Sequence, residues 1–113
     1  MIIDFHTHMF PDKIAARTID FLSKTGGDMN PFTDGTWKGL KESTKQAGID
    51  HSIALPIATR PGQFHTINEF ATHFQEGTLI SFGSLHPESE NYKEELKQIQ
   101  DMGMKGIKLH PDY

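Results

Sequence analysis

The sequence predicts an α/β fold made of parallel strands. Short apolar runs alternate with stripes at helical spacing along the whole chain. A helix-length segment separates every pair of candidate strands, and glycines punctuate the helix ends. This alternation is the mark of βαβ units and a parallel sheet. The strands are expected near 2–7, 52–57, 79–84 and 106–110, in sequential order and with right-handed crossovers. Two architectures fit, an open α/β sheet and part of a (β/α)₈ TIM barrel, and periodicity alone does not choose. A full barrel takes about 250 residues. This chain has 113, supplies about the first four strands and reaches its last residue just past the fourth. The expectation is one domain over 1–113, the N-terminal half of a longer barrel, with no second domain or linker.

The first strand is Ile2 to Thr7, after which Met9-Phe10-Pro11 turns the chain. Asp12 caps a helix or sits in its first turn, where negative charge suits the dipole. Ile14, Thr18, Phe21 and Leu22 form the stripe of that helix, with Ala15 and Ile19 beside them. Gly26-Gly27 ends it, and residues 28–35 are a loop by composition. Trp37, Leu40 and Ala47 mark one side of a second helix that Gly48 closes; Trp37 reads as packing first and as a substrate-stacking residue second. Ser52-Ile53-Ala54-Leu55 suits a buried parallel strand. Thr66 is the expected cap of the next helix, with Ile67, Phe70, Ala71 and Phe74 as its stripe and Gly77 after it. Leu79 to Leu85 is the third strand. Ser89 is the expected cap of a last helix carrying Tyr92, Leu96 and Ile99. Gly106 to His110 is the fourth strand, stopped by Pro111.

Composition narrows the function classes. Net charge is −4 and pI about 5.9, so a nucleic-acid partner is disfavoured. Mean hydropathy is −0.51, and no apolar run approaches a membrane span. The N-terminus lacks the basic region and apolar core of a signal peptide. Cysteine is absent, which excludes disulfides and thiolate metal sites. A cytoplasmic protein acting on a small molecule is the expectation.

The chemistry concentrates at the end of the first strand, in Asp4-Phe5-His6-Thr7-His8. Alternation places Asp4, His6 and His8 on one face and Ile3, Phe5 and Thr7 on the other. Two residues of strand advance about 6.6 Å. Two imidazoles at that spacing lean onto one metal ion, with bonds of about 2.0–2.1 Å for zinc. A cation held there activates water or polarises a carbonyl. A bare His-x-His occurs by chance; the apolar strand before it and the turn and helix start after it supply the context.

Ile-Asp-Phe-His-Thr-His at the start of a chain resembles the first strand of the amidohydrolase superfamily. The nearer resemblance is to the branch that includes aminocarboxymuconate-semialdehyde decarboxylase. Gly-Ile-Lys-Leu-His-Pro-Asp-Tyr at 106–113 is similar to a segment of the same branch. The resemblance spans the chain, and the chain covers only part of the family's length. It implies the barrel rather than the open sheet. It implies a divalent metal, Zn²⁺ first and Mn²⁺ second, on His6 and His8. It also implies a further histidine from the fifth strand and an aspartate from the eighth, both beyond Tyr113. The implied reaction is hydrolysis of an amide, ester or lactone by metal-bound water, or decarboxylation or hydration of a metal-held carboxylate.

The remaining candidates lie at strand ends, where a barrel keeps its active site. Asp4 is either a hydrogen-bond acceptor behind a ligand histidine or an anchor of the barrel floor. Lys108 and His110 share a face at i and i+2. The resemblance places His110 near substrate as acid, base or extra ligand. Lys108 must pair or reach solvent. In other subtypes of the superfamily a lysine on this strand is carboxylated and bridges two metals; the branch resembled here lacks that bridge. Arg60 either clamps a substrate carboxylate or is solvated. His86 either lines the pocket or is a loop residue. His51, His65 and His73 read as structural or solvated.

Two functions compete. One is a metal-dependent hydrolase or lyase of which this chain alone is inactive. The other is a complete, non-catalytic α/β binding module whose histidines serve structure or metal storage. A half-barrel leaves edge strands and one sheet face uncovered. The expected partners are therefore a second copy of the chain or the missing C-terminal half of the barrel.

Overall fold

Short parallel strands and four α-helices alternate in the computed structural model, which describes residues 1–27 and 30–111. Asp28 and Met29 of the expected loop, and Asp112 and Tyr113 of the closing segment, lie outside the described residues. The strands are β1 (Ile3–Thr7), β2 (His51–Ala54), β3 (Leu79–Ser81), β4 (Gly83–Ser84) and β5 (Ile107–Lys108). β1 pairs with β2, β2 with β3 and β4 with β5, all in parallel. Among the described residues these make small parallel sheets and no closed barrel.

The expected third strand, 79–84, is divided at Phe82. The N–H of Phe82 donates to the Ala54 carbonyl at 3.0 Å, and the next amide, Gly83, donates to the Gly106 carbonyl at 2.9 Å. This run is bonded to β2 on one side and β5 on the other, so it joins the two ladders in sequential order. β2 is shorter than the expected 52–57. Leu55 still donates to the Thr7 carbonyl at 2.8 Å, but Pro56 has no N–H to continue the ladder.

The helices are α1 (Asp12–Thr25), α2 (Trp37–Gln46), α3 (Phe64–Ala71) and α4 (Tyr92–Asp101). Asp12 takes the first-turn position rather than the cap, which falls on Pro11. Thr36 caps α2, its Oγ1 accepting from the Gly39 N–H at 3.0 Å. Asp34 braces that cap by accepting from the Thr36 hydroxyl at 2.7 Å and from its N–H at 2.9 Å. These bonds hold the Asp34 carboxyl below the usual carboxylate range. Two expected caps are corrected. Thr66 lies inside α3, because the 3₁₀ turn Pro61–Gln63 already starts the helix. Ser89 belongs to the turn before α4, donating its N–H to the His86 carbonyl at 3.0 Å, and the cap falls on Asn91.

The core lies between the helices and one side of the strands, in two clusters. Leu40 of α2 packs with Met9, Ala54 and Leu79, flanked by Trp37, Phe70 and Phe74. Phe64 and Ala71 of α3 pack with Leu85, Ile99 and Met104. The helical stripes are narrower than the sequence suggests. In α4 only Ile99 is buried, while Tyr92 and Leu96 are exposed. In α1 the buried residue is Ala15, and Phe21 is exposed. The strands beneath α4 are only two residues long, so one turn of the helix suffices to cover them.

The other side of the strands is open. Phe5 rests edge-to-face on Phe82, ring centroids 5.6 Å apart, yet Phe5 stays 59% exposed and Ile3 47%. Ile107 registers with Gly83, whose Cβ would meet Ile99 and Met104, so Ile107 lies on the helical side and is exposed there. Gly106 lies under Phe82: a Cβ there would stand 2.5 Å from the ring. No helix among the described residues is long and apolar enough to cross a membrane.

Candidate metal and substrate site

β1 carries a bulge that corrects the face assignment read from strict alternation. Ile3 and Asp4 register with His51 and Ser52, but Thr7 registers with Ala54, so the segment between holds one residue too many. In-register neighbours of a parallel pair point to the same side. Asp4 and Thr7 therefore share the side of Ser52 and Ala54. That is the helix-covered side, because the hydroxyls of Ser52 and of Thr44 in α2 are hydrogen-bonded at 2.7 Å. Thr7 is buried there and donates to the Ile53 carbonyl at 2.9 Å. His6 and His8 alternate with Thr7 and take the open side.

On that side their rings approach to 5.0 Å between centroids, inclined at 72°. His8 is half-buried, and its Nδ1 lies 2.8 Å from the Leu55 carbonyl oxygen. A carbonyl only accepts, so Nδ1 carries the proton and Nε2 of the neutral ring keeps its lone pair. Burial pushes the His8 pKa below the ordinary imidazole value. The Leu55 hydrogen bond opposes this, and the charges of His6, Lys108 and His110 reinforce it. His6 lies in β1 and His8 just after it, while Lys108 lies in β5 and His110 two residues further on.

The other candidates are placed differently. The Asp4 carboxylate accepts the backbone N–H of His6 at 3.1 Å, so it braces the bulge. His86 is 4% exposed and its Nδ1 accepts the Glu88 N–H at 3.2 Å, which ties it to its own turn. Arg60 is exposed at the 3₁₀ turn. His51 donates from Nδ1 to the Gly77 carbonyl at 2.9 Å, at the opposite end of the strands. His65 and His73 are exposed on or beside α3.

A residue that the sequence reading passed over holds the site's floor. Asn68 of α3 is fully buried. Its Nδ2 donates to the carbonyls of Phe64 and Ser84 at 2.8 and 2.7 Å, and its Oδ1 accepts the Ser84 N–H at 2.8 Å. The Ser84 hydroxyl accepts from the Ala58 N–H at 3.1 Å and donates to the Lys108 carbonyl at 2.9 Å. This chain of bonds joins α3, β4 and the loop after β2 to the backbone that presents Lys108. The signal in the sequence was an amide at i+4 from Phe64, inside an apolar stripe.

Two imidazoles with one tautomer set by a backbone carbonyl suit a borderline cation such as zinc. Among the described residues, no three His, Cys, Asp or Glu side chains come together as a metal cage. Comparison of the chain with family models, with curated proteins and with solved structures finds no match.

Proposed function

We propose that this chain is the N-terminal part of a metal-dependent hydrolase or lyase with an amidohydrolase-type (β/α)₈ barrel. The observation that carries the reading is the pairing of His6 with His8 at the C-terminal end of β1, the proton of His8 held on Nδ1 by Leu55. His6 and His8 hold the metal, Zn²⁺ or Mn²⁺, and further ligands come from outside these 113 residues. The bound metal supplies Lewis acidity toward water or a substrate carbonyl. In this reading Lys108 and His110 act on substrate by charge and by proton transfer. Together with His6 and His8 they make a basic set, which suits a substrate that bears or develops negative charge. The open face of the chain, with Phe5 and Ile3, is covered by a second copy or by the rest of the barrel.

Zinc titration against a chromophoric chelator tests the ligand assignment. Zinc binding by the chain is expected to be weak, and His6→Ala/His8→Ala to remove it. Equal zinc retention by both forms refutes the assignment. The competing reading is a non-catalytic α/β binding module whose histidines serve structure or metal storage. Metal-dependent turnover by a longer form with intact His6 and His8, and its loss in the double variant, decides for the enzyme.

A further inference from the structure

A cleft lined in part by His73 lies away from His6 and His8. It occupies about 780 Å³ on the helical side and reaches Thr78 and Leu79 at the start of β3. His6 and His8 lie at the far end of the parallel strands, so the cleft is separate from the metal site.

Three aromatic rings wall it. Phe70 and Phe74 stand 5.2 Å apart between centroids, and Phe74 lies 6.0 Å from Trp37. All three are only partly buried by the core cluster behind them. Lys41 follows Trp37 by one helical turn on α2, so the two share a stripe. A smaller cleft of about 380 Å³ shares Trp37, Lys41 and Thr78 and adds Lys38 and Lys45. Trp37 and Lys41 thus stand between the two spaces.

Lysine predominates along the α2 side of this wall. Lys38, Lys41 and Lys45 stand there against Glu42 alone, while elsewhere in the larger cleft Lys13 stands against Asp12 and Glu76, with His73 beside them. Glu42 already accepts a hydrogen bond from Gln46 at 3.0 Å. The Lys38 ammonium lies 5.7 Å from the Trp37 ring centre, where a ligand cation would otherwise sit. Lys41 is exposed and takes part in none of the ion pairs of the described residues.

We propose that this cleft is a second, non-catalytic binding site for a small organic anion, an aromatic ring carrying a carboxylate. The ring stacks in the Trp37–Phe74–Phe70 wall, where offset and edge-to-face contacts are favourable. The carboxylate pairs with Lys41. The size and lining match small-molecule sites, which are largely apolar with a few placed polar groups.

The test uses 2-naphthoate as the anion and 2-naphthamide as its neutral counterpart, titrated into the ¹⁵N-labelled 113-residue chain. Naphthoate shifts the Trp37 indole signal and the amides of Lys41 and Thr78. Naphthamide binds about tenfold more weakly, and so does naphthoate to Lys41→Gln and Lys41→Glu, about 1.4 kcal/mol in each case. Lys41 is exposed, so spectra of both variants retain the native pattern elsewhere. The proposal is overturned if naphthoate leaves these signals unmoved or shifts only the surroundings of Phe5 and Phe82. Equal binding of naphthamide, or unchanged affinity in both variants, also overturns it.

Discussion

His8 donates its Nδ1 proton to the backbone carbonyl of Leu55 across 2.8 Å. That single bond orients the ring between β1 and the end of β2 and leaves Nε2 as the coordinating atom. His8→Ala loses both the ligand and the bond. His8→Gln keeps a side-chain amide but loses imidazole coordination. Second-sphere partners of metal-bound histidines are worth about 10–100-fold in affinity. Zinc affinity of His8→Gln is therefore expected to fall by at least about tenfold, as measured by chelator competition. Unchanged affinity would remove His8 from the ligand set.

The same ring makes stability depend on pH. Burial lowers the folded pKa of His8, so the unfolded chain takes up the proton more readily. The stability is full above the unfolded value, about 6.5, and is lost as pH falls from there through the lower folded value. Urea midpoints of the metal-free chain should decline over that window. His8→Asn, which offers an amide donor but does not titrate, should decline less. Parallel curves for the two proteins would show that His8 contributes nothing to the slope.

Asn68 is expected to be the most costly single polar substitution. Asn68→Leu fills a similar volume but strands the Ser84 N–H and carbonyl, both bonded by the amide. A buried unsatisfied group costs about 1–3 kcal/mol. The loss of stability in urea unfolding should reach about 2–4 kcal/mol. A loss of less than about 0.5 kcal/mol, the size of an ordinary surface change, would mean the clamp is replaced by solvent.

Gly106 and Phe82 should behave as one unit. Gly106→Ala pushes the new methyl into the Phe82 ring, and overpacking of this kind costs about 1–3 kcal/mol. Phe82→Leu relieves the clash, so the double variant should be more stable than the sum of the single losses. Strict additivity in a thermal-unfolding cycle would argue against the contact.

The open face should drive association. Among the described residues, Phe5 and Ile3 remain exposed on a side that no helix covers, and β1 is an edge of its sheet. Light scattering after size exclusion is expected to show a dimer or larger species, shifted toward monomer by Phe5→Lys. A cooperatively folding monomer near 12.7 kDa would contradict the half-barrel reading.

Local pattern alone determined the alternation of strands and helices, their parallel sequential order and the His6–His8 pair. Strand and helix periods are written in side-chain spacing, and the glycines after three of the helices mark where the chain turns. Gly27, Gly48 and Gly103 all adopt positive φ, where a side chain is strained. Tertiary structure alone decided the rest. The bulge that puts Asp4 on the covered side and both histidines on the open side arises from the register of β1 against β2, which no single-strand pattern encodes. The break at Phe82 follows from Gly83 bonding to Gly106. The effect of the Lys108 and His110 charges on His8, the burial that lowers its pKa, and the clamp from Asn68 to Ser84 all join residues far apart in the chain. Such contacts depend on how the strands stack side by side and on which turn of each helix meets them, and only folding brings those surfaces together.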